Sequence, residues 1–392
     1  MKLPTEYNPG KESHSFENNK LILRAEKWVN NGYCLGYFNE ETFFISGAIP
    51  GELVECEIVS YTKKFKQVKV IQILEPSKDR IPIDCDIFLV CGGCSFRHIS
   101  YLKELELKKN LFLNEFNHKF PSSPLDKHSI HILKGSELHY RNNVQFKIHN
   151  NKKGFYKIGT NDLVPLPERG CLNLPKELNE SIKKYKPQTE KEGKLRFSKE
   201  VINYEKEESE FVISNFKIRV PKNGFFQINR FLTEPWLEEI INFLPADNLD
   251  ILELFSGSGL ISHAVSSKCK SLIGFEIESK AVEYSKENAK RNGASNLEFK
   301  TINLYQEKIL EKHLVRPLWI MNPPRNGLGN LILDQIEKHK PNHIIYSSCN
   351  YISLIQDLKK ILTTYTLKKT TIADFFPRTY YFETLILLER MQ

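Results

Sequence analysis

Two side chains near the end of the chain have the types that nucleophilic and acid–base chemistry needs. Cys349 follows Tyr346-Ser347-Ser348 at the end of an apolar stretch, and Glu383 directly precedes the apolar stretch 384–388. A thiolate is a strong nucleophile, and a carboxylate can act as a general base. Either residue alone could be ordinary, the thiol a buried packing residue and the carboxylate a strand-edge group. The neighbouring motifs favour the catalytic interpretation.

A glycine-containing turn predicts a cofactor site. The apolar stretch 250–255, which ends at Phe255, is followed by Ser256-Gly257-Ser258-Gly259 and then by a helix-like run. Glu276 ends the next apolar stretch, nineteen residues after Gly257, where a carboxylate would reach the hydroxyls of a ribose. The turn has neither the full three-glycine dinucleotide fingerprint nor a phosphate-loop lysine, so a methionine-sulfonium cofactor fits better than NAD or ATP. Asn303, after a third strand, is a candidate contact on the adenine side.

A proline turn brings a third polar segment to the same place. The apolar stretch 318–321 leads into Asn322-Pro323-Pro324-Arg325. Two prolines restrict a turn at the carboxyl end of a strand, where ligands bind in open α/β sheets. The strand before Cys349 ends at this edge too, so thiol, turn and cofactor loop are expected to be neighbours.

Three closely spaced cysteines predict a metal centre. Cys85, Cys91 and Cys94 lie within ten residues, and Cys171 could complete a set of four. Four thiolates can bind zinc or a [4Fe-4S] cluster, and spacing does not decide between them. The alternative is a set of unrelated buried thiols, which is how we interpret the remaining three cysteines, Cys34, Cys56 and Cys269.

The elements that must position these residues fall into three segments. Residues 18–76 alternate short apolar runs with glycines and predict a small β-barrel. Residues 77–234 combine the cysteines, an amphipathic helix from about 101 to 116 and several strands, with a charged stretch at 183–200 that predicts an exposed loop or helix. Residues 235–392 alternate strands and helices, the pattern of a doubly wound α/β sheet.

Cations and aromatic residues are interleaved in the first segment. Lys63, Lys64 and Lys66 lie among Tyr61 and Phe65. This composition suits phosphate contact and stacking on RNA bases, although a solvated turn would contain the same residues.

Composition is that of an ordinary globular protein. The chain has 392 residues, 40% of them hydrophobic, and a formal net charge of +8 that suits a polyanionic partner but could serve solubility alone. No apolar run is long enough to cross a membrane, and the N-terminus has no apolar core of a signal peptide. We expect a cytoplasmic monomer with reduced cysteines.

Taken together, these segments resemble the uracil-5 RNA methyltransferase family, in its branch with an N-terminal TRAM domain and an iron–sulfur cluster, such as the 23S ribosomal RNA enzymes. The resemblance spans residues 18 to 390. It rests on four sets of residues besides the catalytic segments: Gly47-Ala48-Ile49-Pro50-Gly51-Glu52, the four cysteines 85, 91, 94 and 171, Tyr140-Arg141-Asn142-Asn143-Val144-Gln145-Phe146, and Phe225-Phe226-Gln227-Ile228-Asn229.

The resemblance implies a multidomain fold: a TRAM or OB-like β-barrel, a central α+β domain with an iron–sulfur cluster, and a C-terminal Rossmann-like methyltransferase domain. It implies S-adenosyl-L-methionine and a [4Fe-4S] cluster as cofactors, with RNA as partner. The four cysteines would hold the cluster, and Phe225 would stack on the target base. The implied contacts to S-adenosylmethionine are Gln227, Phe255, Ser256, Gly257, Glu276, Asn303 and Asn322.

The implied mechanism uses Cys349 as the nucleophile and Glu383 as the base. Carbon 5 of uracil is a poor nucleophile until the thiolate adds to carbon 6; it then takes the methyl group, and Glu383 removes its proton. Two positions depart from the family pattern, Asn322 where an aspartate is usual and Tyr381 where a histidine is usual. The alternatives are the same reaction on the T-loop of transfer RNA, an inactive RNA-binding or RNA-folding module, and a redox sensor.

Overall fold

The computed structural model describes residues 16–17, 20–61, 65–186, 192–198, 201–203, 208–222 and 224–392. These residues form four β-sheets, of seven, five, two and eight strands. The predicted RNA contacts Lys63 and Lys64 lie outside the described residues.

The first sheet contains the seven strands before residue 76. They are β1 (Phe16–Glu17), β2 (Lys20–Arg24), β3 (Lys27–Val29), β4 (Tyr33–Phe38), β5 (Glu41–Ser46), β6 (Leu53–Tyr61) and β7 (Lys66–Glu75). Their order across the sheet is β1-β2-β6-β7-β5-β4-β3. Alternate residues such as Leu21 and Leu23 are buried, so one face builds a core. Only Ala25 and Glu26 separate β2 from β3, and these two strands lie near opposite edges of the sheet, so the sheet curls around this core. Its identification as a TRAM domain stays a prediction.

The middle of the chain contributes a long helix, a five-stranded sheet and a hairpin. The elements are α1 (Tyr101–Lys119), β8 (Ile130–Leu133), β9 (Asn143–His149), β10 (Lys152–Tyr156), β11 (Leu163–Pro165), α2 (Lys176–Lys184), β12 (Glu192–Ser198), β13 (Val201–Asn203), β14 (Glu208–Ile213) and β15 (Phe216–Pro221). The five strands β11-β10-β9-β12-β13 are antiparallel, and β14 pairs with β15.

The charged stretch predicted as a loop or helix contains a strand instead. In β12 the residues Leu195 and Phe197 are buried. The sheet therefore uses the alternate apolar residues of this stretch, while the intervening charges lie on the other face.

The last segment forms the eight-stranded sheet. Its elements are α3 (Thr233–Asn242), β16 (Leu249–Leu254), α4 (Leu260–Val265), β17 (Cys269–Glu276), α5 (Ser279–Arg291), β18 (Leu297–Thr301), α6 (Glu311–Leu314), β19 (Leu318–Met321), α7 (Asn330–His339), β20 (His343–Ser348), α8 (Tyr351–Ile361), β21 (Tyr365–Ala373) and β22 (Glu383–Arg390). The order is β18-β17-β16-β19-β20-β22-β21-β8, with the first five strands parallel and β22 antiparallel to both neighbours. The predicted α/β sheet is thus confirmed.

Both faces of this sheet are covered, because residues along each strand alternate between two cores. Ile344 and Tyr346 belong to the core that α1, α7 and α8 cover, whereas Ile345 belongs to the core under α3, α4 and the β14–β15 hairpin. The strand β8, from the middle of the chain, is parallel to β21 at the sheet edge.

A buried ion cluster also ties α1 to this sheet. The ammonium of Lys108 donates to Glu104 and Asp374, each at 2.7 Å, and all three side chains are fully buried. Asp374 begins the connection from β21 to β22, which ends at Glu383. The middle of the chain therefore fixes the loop that leads to the predicted base.

No helix among the described residues is long and apolar enough to span a membrane.

Candidate active site

The predicted cofactor loop contains three residues with positive φ. After β16, Phe255, Gly257 and Gly259 have φ values of 64°, 54° and 84°. A Cβ at Gly259 would lie 3.1 Å from the Phe299 ring, and the positive φ already disfavours other residues, so glycine is preferred where the helix α4 begins. The hydroxyl of Ser256 is buried and has no hydrogen-bond partner among the described residues. A buried group of this kind fits a polar ligand at the loop.

Glu276 lies at the end of β17, beside the loop. Its Oε2 accepts the Gly257 N–H at 2.9 Å, and its Oε1 accepts the N–H groups of Ile277 at 2.8 Å and Glu278 at 3.0 Å. The carboxylate is therefore fixed next to the glycine turn, in the position that the spacing predicted.

Two other predicted cofactor contacts follow neighbouring strands of the sheet, and a third lies in the segment between β15 and α3. The Asn322 N–H lies 3.4 Å from the Leu254 carbonyl, which joins the ends of β19 and β16. The Asn303 amide is engaged in its own turn, where Oδ1 accepts the Tyr305 N–H at 3.1 Å. Gln227 is buried, and its carbonyl accepts the Asn142 side-chain amide at 2.7 Å.

Cys349 and Glu383 lie side by side. In the antiparallel pair β20–β22, Ser348 is opposite Thr384, so the next residues of the two chains, Cys349 and Glu383, follow at the same edge. Burial raises the pKa of Glu383 to about 7, and the hydrogen bond from Ser347 opposes this rise. Burial, and then the charge of Glu383, raise the pKa of the Cys349 thiol to about 11, while Arg325 lowers it. The thiol therefore rests protonated at neutral pH.

Arg325 is held against the thiol by two tyrosines. Its guanidinium lies 4.1 Å from the ring centre of Tyr381 and donates to the Tyr381 hydroxyl at 3.2 Å. The Tyr380 hydroxyl donates to the same oxygen, and the Asn350 amide donates to the Arg325 carbonyl at 2.9 Å. A cation beside a thiol favours the thiolate.

A pocket of 230 Å³ opens over Cys349. Asn30 and Asn31 of the first sheet line it together with Arg325 and Tyr381. The Tyr351 hydroxyl donates to the Asn30 side chain, and Asn31 has a φ of 64°. The connection between β3 and β4 therefore forms part of the wall of the pocket at Cys349.

The four cysteines of the predicted cluster line one cavity of 830 Å³. Within it the Cys94 sulfur accepts from Arg97 Nε at 3.3 Å and from Asn173 Nδ2 at 3.4 Å. In the part of the chain that the structure describes, however, no group of three or more His, Cys, Asp or Glu side chains is arranged to hold a metal ion. The predicted metal centre is therefore not confirmed.

The predicted RNA contacts are dispersed. Lys66 forms an ion pair with Glu41, so its charge is already partnered within the protein. Phe225 is 73% exposed, in the segment before α3. Its neighbour Phe226 is buried and stacks on Phe211 with ring centres 3.6 Å apart.

Sequence reasoning missed several residues of the site. Ser347 stands in the sequence only as a neighbour of Cys349, and nothing in the sequence around Trp236 indicates a role at the site. The Trp236 indole donates to Ser347 Oγ at 3.3 Å, and Ser347 donates to Glu383 Oε1 at 2.6 Å. Apart from Gly32, the sequence around Asn30 and Asn31 contains no pattern that would indicate a place at this pocket.

Comparisons with known proteins find a matching family and several relatives of similar length. Residues 188–391 match the family described as tRNA (Uracil-5-)-methyltransferase. An RNA methyltransferase from Leptospira interrogans serovar Lai is 39% identical over the whole of both chains, and one from Aquifex aeolicus is 29% identical over 94% of this chain and 98% of its own.

One solved structure resembles nearly the whole chain. The tRNA (uracil-54, C5)-methyltransferase of Pyrococcus abyssi, in complex with S-adenosyl-L-homocysteine, superposes with a TM-score of 0.74, covering 93% of this chain and 99% of its own. The two sequences are 18% identical, so this likeness concerns the fold alone.

Proposed function

Because the chain belongs to the uracil-5 RNA methyltransferase family, we propose that it methylates carbon 5 of a uridine in RNA through a covalent adduct of Cys349. The single observation that carries the proposal is the adjacency of a thiol and a buried carboxylate. They lie at the edge of the sheet that also carries the cofactor loop. The two groups have the types and places that addition to carbon 6 and proton removal from carbon 5 require.

The Cys349 thiol gives up its proton to solvent, its sulfur forms a bond to carbon 6, and the electron pair of the carbon 5–carbon 6 double bond moves into an enolate. S-adenosylmethionine, when bound, would supply an electrophilic methyl group to carbon 5, and S-adenosylhomocysteine would be the leaving group. Glu383 then takes the proton from carbon 5, the double bond re-forms, and the sulfur leaves carbon 6.

The acid–base properties of the two groups suit these roles. A general base works best with a pKa near the working pH, and burial raises the pKa of Glu383 to about 7. The thiol has a pKa of about 11, so its ionisation depends on the Arg325 cation held by Tyr381. Tyr381 thus keeps a function at the position where the family usually has a histidine.

The cofactor would lie along the glycine turn. Glu276 is fixed there with Oε2 turned toward Gly257 and would accept the ribose hydroxyls. The unpartnered Ser256 hydroxyl and the backbone at Gly257 would contact the methionine part, with Asn322 at the adjacent strand end. Gln227, Phe255 and Asn303 complete the proposed contacts.

We favour 23S ribosomal RNA as the substrate. The support is the curled N-terminal sheet, which reaches the catalytic pocket through Asn30 and Asn31, and the cavity that the four cysteines line. Both belong to the ribosomal RNA branch that the sequence resembles. Transfer RNA is the second candidate, favoured by the description of the matching family and by the fold of the Pyrococcus enzyme. Phe225 would stack on the extruded base in either case.

The cavity that the four cysteines line is the proposed place of an iron–sulfur cluster, although its thiols are not arranged as metal ligands among the described residues. Cys85, Cys91, Cys94 and Cys171 face one space, and two N–H donors already point at the Cys94 sulfur. Such donors stabilise thiolate ligands and cluster sulfur. In the proposal the four thiols hold a [4Fe-4S] cluster that has no part in methyl transfer.

The test is methylation of two RNAs made by in vitro transcription, a 23S ribosomal RNA and a set of transfer RNAs, with labelled S-adenosylmethionine. We expect the label in 5-methyluridine of the 23S transcript after digestion to nucleosides. Label in transfer RNA alone would select the second candidate. Methylation of another nucleoside, or none, would contradict the proposal. Cys349→Ala should be inactive, and Cys269→Ala is the matched control, since that thiol lies at the start of β17.

A further inference from the structure

We propose that Ser347, held in turn by the Trp236 indole, is a positioning residue that keeps the carboxylate of Glu383 ionised and oriented toward the substrate. The inference rests on the proposed function, because it explains how the proposed general base, Glu383, is held and kept ionised. It concerns a serine inside the cysteine motif and a tryptophan that lies outside every motif.

The direction of the hydrogen-bond chain follows from the groups themselves. The indole Nε1 of Trp236 can only donate, so Ser347 Oγ, 3.3 Å away, is its acceptor. A hydroxyl has a single proton, and Glu383 Oε1 lies 2.6 Å from the same oxygen. The Ser347 proton is therefore directed at the carboxylate. A hydrogen bond donated by Ser347 to the carboxylate stabilises the ionised form of Glu383.

The three hydrogen-bonded side chains are closed to solvent. Trp236, Ser347 and Glu383 are 0%, 1% and 3% exposed, so water does not compete for these hydrogen bonds. Oε1 is occupied by Ser347, whereas Oε2 accepts no hydrogen bond from the residues that the structure describes. One oxygen is thus anchored and the other is left to take a proton.

The sheet places the three residues on one face. Ser347 is opposite Leu385 in the β20–β22 pair, and Leu385 lies two residues after Glu383, so their side chains share a face. Trp236 and Leu385 belong to the core on that face, under α3. Register and helix packing together therefore bring an indole donor to a hydroxyl that is 111 residues away in sequence.

Few other groups act on Glu383. Directly after β20 the titratable neighbour is the Cys349 thiol, which interacts with the carboxylate, and on β21 the residue paired with Glu383 is Ala373. The carboxylate of Asp374, the residue after Ala373, forms an ion pair with the Lys108 ammonium. Burial raises the pKa of Glu383 to about 7, and Ser347 opposes that rise. Without the hydroxyl the carboxyl would be protonated at neutral pH and could not accept the carbon 5 proton.

The first test measures the ionisation of Glu383 directly, by an infrared titration of the full-length protein. The carboxyl stretching band is assigned as the one absent from Glu383→Gln. In Ser347→Ala we expect its midpoint to move up by about 1 to 2 pH units, as for loss of a hydrogen bond to a charged group. Ser347→Thr should restore the midpoint. Ser348→Ala, whose hydroxyl bonds to Asn350 instead, should leave it unchanged.

The second test measures how fast the covalent enzyme–RNA adduct resolves in a single turnover, as a function of pH. Ser347→Ala should accumulate the adduct near pH 7 and clear it as the pH rises, because proton removal is the impaired step. An unchanged infrared midpoint, or a resolution rate lowered equally at every pH, would overturn the role of Ser347. A wild-type protein that forms neither adduct nor 5-methyluridine would instead overturn the proposed function, while the infrared titration would still decide the inference.

Discussion

Lys108→Met should destabilise the protein by about 3–5 kcal/mol at pH 8, the usual cost of removing one partner from a buried ion pair. The Lys108 ammonium donates to Glu104, to Asp374 and, at 3.2 Å, to the carbonyl of Phe376. Both carboxylates are fully buried, so neither can turn to water when the cation is lost. Methionine nearly preserves the volume, so lost charge rather than lost packing dominates the effect.

The destabilisation should depend on pH in a defined direction. Burial raises the pKa of Glu104 from 4.5 to about 7, and Lys108 opposes that rise, so the variant raises it further. A carboxyl whose folded pKa exceeds its unfolded one costs stability as the pH rises above the unfolded value, by about 1.4 kcal/mol per unit until the folded pKa is reached. The difference between variant and wild type should therefore be smaller at pH 5.5 than at pH 8.

The assay is urea unfolding followed by circular dichroism and tryptophan fluorescence at both pH values, with equal slopes required before midpoints are compared. Lys103→Met is the matched control on the same helix, because Lys103 pairs with Asp79 and Glu106 at the surface. Exposed pairs contribute about 0–1 kcal/mol. A Lys108→Met variant within 1 kcal/mol of wild type, or equally destabilised at both pH values, would refute the reasoning.

Three further predictions concern the candidate sites. Glu276→Gln should weaken S-adenosylhomocysteine binding by about 10-fold or more, measured by calorimetry, because it removes a charged acceptor, whereas Glu278→Gln should bind normally. Cys94→Ser, purified without oxygen, should lose iron and the visible absorbance expected of wild type; equal iron content would count against the cluster. Tyr381→Phe should slow alkylation of Cys349 at pH 8 by about fivefold, since Arg325 loses an acceptor worth about 1 kcal/mol; an unchanged rate would show that Tyr381 does not hold the cation.

Local patterns predicted the backbone of the glycine turn and the place of Glu276 beside it. The strand, the glycine turn and Glu276 are close in sequence, and their geometry follows from the rules for one β-α-β unit. The helix α1 and the alternating strands of the first sheet were predicted for the same reason. The structure adds the hydrogen bond from Gly257 to Glu276, which fixes the turn against the carboxylate.

Long-range pairing could not be predicted from local patterns. Nothing in residues 130–133 indicates that they pair with β21, some 240 residues later, and the alternation of Leu195 and Phe197 was masked by the charges around them. The support of Glu383 by Trp236 likewise depends on packing of α3 against β20. The cysteines illustrate a different limit, because their spacing predicted a metal centre, whereas the described residues show a shared cavity without an arrangement that would hold a metal ion.

The covalent role of Cys349 is tested most directly with RNA that contains 5-fluorouridine, together with S-adenosylmethionine. After methyl transfer to a fluorinated carbon 5 there is no proton for Glu383 to remove, so the Cys349 adduct cannot resolve. Wild-type protein should give an RNA complex that survives denaturation and that mass spectrometry assigns to the peptide containing Cys349, and Cys349→Ala should give none. A complex of equal yield in both proteins, or attachment to another residue, would contradict the account.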